Sequence, residues 1–204
     1  MAESYLIPAA PLVVEEEIKR SRFISLLFHC TSENDMKLAL TNCRRDYPGA
    51  NHYCYAFVAG APDDLVAIGS SDDGEPAGSA GRPMLASLQG ANIGEIGAIV
   101  IRYFGGTKLG VGGLVRAYSS GIKQGLLSLQ TELKLLRYPA KLICDYHQLK
   151  DVEYFLDRCE AVILDRVFTD KVMLHFAIAK GYRQQLQQEL ATLSQGKMTL
   201  TLDD

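Results

Sequence analysis

The 204-residue sequence predicts an α+β protein in two domains, 1–135 and 136–204. Three observations carry that prediction. Fifteen of the eighteen glycines lie between Gly60 and Gly125, and only Gly181 and Gly196 follow them. Arg137-Tyr138-Pro139 comes just past a helical pattern, and a proline there cannot continue it. Beyond that point apolar periods of two and 3.6 alternate in the order βαββαβ.

In the first part, Val13–Ile18 and Arg22–Cys30 read as two strands. Ser32 is a good helix N-cap, with Asp35 three residues on. Met36, Leu40, Cys43 and Tyr47 keep helical spacing until Pro48-Gly49. His52–Ala59 is a strand that puts Tyr53, Tyr55 and Phe57 on one face, and Leu65–Ile68 is a short strand before an acidic turn. Met84–Leu88 is a short helix whose first turn accommodates Pro83. Ile96–Phe104 is nearly all apolar, as a central strand covered on both sides must be. A glycine loop over Gly105–Gly113 leads to a long helix marked by Leu114, Tyr118, Ile122, Leu126 and Leu129.

In the second part, Ala140, Leu142, Cys144 and Tyr146 alternate as a strand, and Leu149, Val152, Phe155, Leu156 and Cys159 follow as a helix. Val162–Phe168 and Val172–Ile178 are two more strands, separated by Thr169-Asp170. Tyr182, Leu186, Leu190 and Leu193 mark a second helix, and Met198, Leu200 and Leu202 a last strand. This order is the split βαβ, or ferredoxin-like, arrangement.

Composition narrows the function classes. Hydrophobic residues at 48% and charged residues at 22% exclude disorder. The net charge is -3, shared as -2 over 1–135 and -1 over 136–204, so polyanion binding requires a local patch. No apolar run approaches the roughly 20 residues of a membrane helix, and Glu3 and Glu15–Glu17 stand where an export signal would be basic. Five cysteines at wide spacing, without CxxC, read as reduced thiols of a cytoplasmic protein. His52 and Cys54 could share a strand face as metal ligands, but nothing nearby completes a zinc set. The expectation is therefore no metal and no cofactor.

The strongest local feature runs from Ile101 to Tyr118: a strand, a glycine loop and a helix start. Free backbone N–H groups and the helix dipole favour an anion at such a start. Gly110, Gly112 and Gly113 let a ligand approach the backbone. Arg102, Lys108, Arg116 and Lys123 bring cations to it, and Arg82 extends the patch. The alternative is that these glycines only make a tight turn and that Gly121 and Gly125 only permit close packing. The loop fails both nucleotide templates. Val111 follows Gly110 where a Walker loop needs Lys, and Val115 occupies the third glycine of a dinucleotide fingerprint. An extended phosphate chain such as RNA fits the cations better, with tyrosines at 53, 55, 103 and 118 available for stacking.

The second feature is Ser70–Met84, where Asp72, Asp73 and Glu75 form a candidate acidic site. Three carboxylates in four residues could hold Mg²⁺, cap backbone N–H groups or attract a basic partner. Hydrolase templates are absent: there is neither Gly-x-Ser-x-Gly nor His-Glu-x-x-His.

These segments resemble the IMPACT/YigZ family. The matching text is Ser21-Arg22-Phe23, His52-Tyr53-Cys54-Tyr55-Ala56, Ser71-Asp72-Asp73-Gly74-Glu75-Pro76-Ala77-Gly78, and Arg102-Tyr103-Phe104-Gly105-Gly106 with Leu109-Gly110. The resemblance implies a ribosomal protein S5 domain 2-like domain followed by a small ferredoxin-like domain, each similar to a C-terminal domain of elongation factor G. Eukaryotic relatives restrain a starvation-responsive translation kinase by competing for its activator. The expectation is a non-enzymatic cytoplasmic protein that associates with RNA or the ribosome, or with a translation-related protein, and regulates translation. The rival expectation is a Mg²⁺-dependent phosphoryl-transfer or nucleotide-binding enzyme using the glycine loop. A third is a protein-interaction module working through an edge of the ferredoxin-like domain.

Overall fold

The computed structural model describes residues Ser4 to Leu202. They form two compact units, one over Tyr5–Lys134 and one from Leu135 onward. Both are α+β.

The elements of the first part are β1 (Ser4–Pro8), β2 (Leu12–Ile18), β3 (Ser21–His29), α1 (Glu33–Asp46), β4 (His52–Val58), β5 (Ile68–Ser71), α2 (Gly81–Gln89), β6 (Ile96–Tyr103), α3 (Val111–Ser128) and β7 (Thr131–Leu135). Five strands make one sheet in the order β2-β3-β6-β4-β5, every pairing antiparallel. The apolar run at 96–103 is the central strand, covered on both faces as its composition requires. Alternation sends Ala98 and Val100 to a core shared with Met84 and Leu88 of α2 and Leu114, Tyr118 and Ile122 of α3. Ile99 and Ile101 face the other way, onto Tyr53, Phe57 and Met36 and Cys43 of α1.

Local chemistry explains most boundaries. The Ser32 side chain accepts from Asp35 N at 3.2 Å and caps α1. The Asp35 carboxylate reaches one residue further back than a capping box would, to Thr31 N and Oγ1. Gly121 and Gly125 let α3 lie close on the sheet: a Cβ at Gly125 would stand 2.6 Å from Leu27 Cδ1, and one at Gly121 would collide with Ser25 Oγ.

Three sequence expectations shift, and one sheet is new. The strand expected at Leu65–Ile68 lies instead at Ile68–Ser71. The Asp64 carboxylate accepts from Val66 N and Ala67 N at 2.7 and 3.1 Å, curling the chain so that Leu65 and Val66 point into solvent. The long helix starts at Val111, not Leu114, because Gly110 at φ 74° makes the turn and its carbonyl takes the first helical bond, from Leu114 N. Gly112 and Gly113 are thus helical. The short helix begins at Gly81. The two-stranded β1-β7 sheet has no counterpart in the pattern reading, since its partners, Ser4–Pro8 and Thr131–Leu135, lie at opposite ends of the first part.

The second unit contains β8 (Arg137–Cys144), a 3-10 turn (Tyr146–Gln148), α4 (Leu149–Arg158), β9 (Val162–Phe168), β10 (Val172–Ala179), α5 (Lys180–Ser194) and β11 (Thr201–Leu202). Its sheet order, β11-β8-β10-β9, is that of the expected βαββαβ unit. Leu142, Val172, Leu174, Phe176 and Ile178 meet Val152, Leu156, Leu186 and Leu190 in the core. The last strand is shorter than expected, pairing only Thr201 and Leu202 with β8.

Candidate nucleic-acid interface

The three acidic residues diverge. Asp72 Oδ1 accepts from Ala80 N and Gly81 N at 2.9 and 2.8 Å, and its Oδ2 from Gly78 N at 2.8 Å. It therefore caps α2, whose own N-cap residue, Ala80, has no side-chain acceptor. Burial pushes its carboxyl pKa up, but these backbone donors outweigh burial and hold it below its ordinary value. Asp73 accepts from Tyr53 N at 2.7 Å and pairs with Arg44 at 3.2 Å, while its carbonyl takes a bond from His52 Nδ1. Glu75 turns inward instead. Among the described residues no three of His, Cys, Asp and Glu gather as metal ligands. The three carboxylates thus serve structural contacts: Asp72 is the backbone cap that the sequence offered as one reading, and His52 lies between the other two, its Nδ1 on the Asp73 carbonyl and its Nε2 3.8 Å from Glu75 Oε1.

Glu75 turns inward to meet Arg102. In β6 the alternation that buries Ala98 and Val100 beneath α3 places Arg102 on the same side. Arg102 is 5% exposed; its guanidinium donates to Glu75 Oε1 at 2.5 Å, and Tyr118 OH donates to the same oxygen at 2.8 Å. Phe23 and Phe104 flank the cation at 5.4 and 5.5 Å from their ring centroids. A neutralised, buried arginine is no ligand for an external anion, so Arg102 leaves the expected patch. Two tyrosines are likewise withdrawn from stacking: Tyr118 is fully buried and Tyr53 is 6% exposed.

The other cations remain outside. Arg82, Lys108, Arg116 and Lys123 are all exposed. Arg82 and Lys123 line one shallow depression with Gly78, Val115 and Ser119. Arg116 lines a second with Gly112, Gly113 and Lys19. At the start of α3 no side chain caps the helix and its first turn has no acidic residue. Neither α2 nor α3 contains Asp or Glu, and none occurs anywhere from 96 to 131. Carboxylates adjoin the face: Glu16 of β2 accepts from Ser120 Oγ at 3.2 Å, and Asp72 lies close enough to Arg82 to feel its charge.

Pattern reading missed Lys19. With Arg20 it forms the two-residue turn between Ile18 and Ser21, both at positive φ (48° and 66°). Asn-Gly suits such a turn far better, and two basic residues there are a signal that only the hairpin register makes visible. A Cβ at Gly105 would collide with the Arg20 carbonyl, so the loop before α3 is pressed against this turn. All five cysteines are free and buried. Burial pushes the Cys54 thiol up to about 12 and those of Cys30 and Cys43 to about 11. No helix of the described residues is long and apolar enough to cross a membrane.

The arrangement defines a two-unit α+β protein with a helical layer that is uniformly cationic on a chain of net negative charge. Comparison with known proteins gives it a family. Residues 19–126 match the Impact N-terminal domain, and residues 142–197 match a domain of unknown function, DUF1949. The chain is 46% identical to IMPACT family member YigZ of Escherichia coli strain K12, covering 97% of each chain. It is 44% identical to an IMPACT family member of Haemophilus influenzae, over 99% of this chain and 98% of that one. A solved structure titled as the crystal structure of a hypothetical protein is 45% identical with a TM-score of 0.81, over 100% of this chain and 99% of the other. The chain belongs to the IMPACT family.

Proposed function

We propose that this protein is a non-enzymatic regulator of translation that docks on RNA, ribosomal RNA included, through the outward face of α2 and α3. The observation that carries the reading is the unbroken positive sign of those two helices, with Arg82, Arg116 and Lys123 exposed on them. Lys19 and Lys108 add to the same field beside the uncapped start of α3. Ammonium and guanidinium groups spread over a helical face track a phosphate backbone without reading bases. The phosphoryl-transfer reading loses its support, because Asp72, Asp73 and Glu75 are each committed elsewhere.

The test is binding of a labelled RNA hairpin, followed by anisotropy across a salt series, with ribosome co-sedimentation beside it. In the Arg82→Glu/Arg116→Glu/Lys123→Glu variant affinity should fall at least tenfold, and the slope of log K against log salt should lose about two to three units. The melting temperature should hold, since all three side chains are exposed. An unchanged slope and unchanged co-sedimentation would overturn the proposal.

A further inference from the structure

We propose that a cleft at the open side of the second sheet binds a small organic molecule carrying a phosphate group. Three lysines line it, each from a different segment: Lys141 from β8, Lys171 from the turn just before β10, and Lys197 from the chain after α5. The cleft encloses about 370 Å³, within the ordinary range for ligand sites of about 300–1,000 Å³. Among the described residues no Asp or Glu lines it.

Strand alternation builds the site. Leu142, Cys144, Val172 and Leu174 face the helices and form the core. Lys141, Ile143 and Met173 therefore face away from α4 and α5. Met173 pairs directly with Ile143, and Lys141 with Thr201 of β11, so an apolar strip lies beside a hydroxyl and an ammonium group. Met198 and Thr199 close the side nearest the edge strand.

The charges are available to a ligand in different degrees. Lys197 makes no ion pair with another described residue. Lys171 pairs with Asp145 at 3.6 Å, with both side chains about half exposed, and such a pair is worth little in water. Lys141 already has a contact within the chain, so the inference rests on the other two. Neither Thr199 nor Thr201 bonds its hydroxyl to another described residue. Lysine ammonium groups act as point charges and suit phosphate, whose dianion and several oxygens take donors from several directions. A carboxylate would leave part of that charge unused. The Ile143–Met173 strip gives an attached organic group an apolar surface to cover.

Titration of the full-length ¹⁵N-labelled chain with phenyl phosphate and, separately, inorganic phosphate tests the inference. Saturable shifts of the Lys171, Thr199 and Thr201 amides are expected at millimolar probe, with phenyl phosphate binding more tightly because its ring covers Met173. Lys171→Met/Lys197→Met should weaken phenyl phosphate at least tenfold, whereas Arg116→Glu/Lys123→Glu should leave it unchanged. This separates the cleft from the α2–α3 face, which also attracts phosphate. If the double variant melts early, Lys197→Met alone, at an exposed position, must show the loss. No saturable shift at these amides, equal binding of the two probes, or undiminished binding after lysine removal overturns the assignment.

Discussion

Replacing Glu75 by alanine should destabilise the Tyr5–Lys134 unit by about 4 kcal/mol. Arg102 would keep a buried cation without its counter-charge, a change that typically costs about 3–5 kcal/mol. Its Nε has no partner even with Glu75 present, and Ser21 Oγ, at 3.4 Å from Nη2, offers only a long bond. The fully buried Tyr118 hydroxyl would also lose its acceptor, worth about 1–3 kcal/mol and overlapping the first loss. Against a total of about 5–15 kcal/mol this is severe. Glu75→Gln keeps an oxygen for both donors but not the charge, and should cost about half as much. Glu75→Leu combined with Arg102→Met removes both charges together and should be more stable than Glu75→Ala. Hydrogen exchange of β6 peptides reads the effect directly, with β10 peptides as the reference. At 1.4 kcal/mol per factor of ten, Glu75→Ala should speed β6 exchange about a thousandfold. A change below tenfold, or a double variant no better than the single one, would refute the argument that Glu75 neutralises a buried arginine.

Two further outcomes are expected. Glu95 is 5% exposed and accepts from Tyr5 OH, His29 Nε2 and Lys134 Nζ. Burial pushes its carboxyl pKa up, and the bonds from Lys134, His29 and Tyr5 outweigh burial and hold it below its ordinary value. A depressed folded-state pKa gives stability that is present above the unfolded value, about 4.3, and is lost as pH falls through the folded one. Melting temperature should therefore drop below about pH 4.5, and Glu95→Gln, less stable at neutral pH, should show a weaker drop; equal slopes would refute this. Second, Lys19→Asn/Arg20→Gly should raise stability by about 1 kcal/mol, because Asn-Gly relaxes a two-residue turn at positive φ. It should also weaken RNA binding, so a tighter or unchanged affinity would remove Lys19 from the interface.

Features spanning a few residues were legible in the sequence. Ser32 announces α1, and the apolar stretch at 96–103 announces a covered central strand. The second unit follows its periodicity almost element for element. Arg102 shows where such reading stops. The parity that buries Ala98 and Val100 also buries Arg102, and a strand reading that ends on a cation does not reveal the carboxylate waiting for it. Asp72 is similar: its three backbone donors lie six to nine residues ahead, brought back by a fold of the chain that no local pattern encodes.

The amino-acid order alone determined most element types and the cations available to α2 and α3, because caps, periodicity and breakers act over one or two turns of chain. Tertiary structure decided which charges face water. Ion pairing depends on distance through space, and the close approach of β6, the acidic turn and α3 withdraws Arg102 and Glu75 together while leaving Arg82, Arg116 and Lys123 outside.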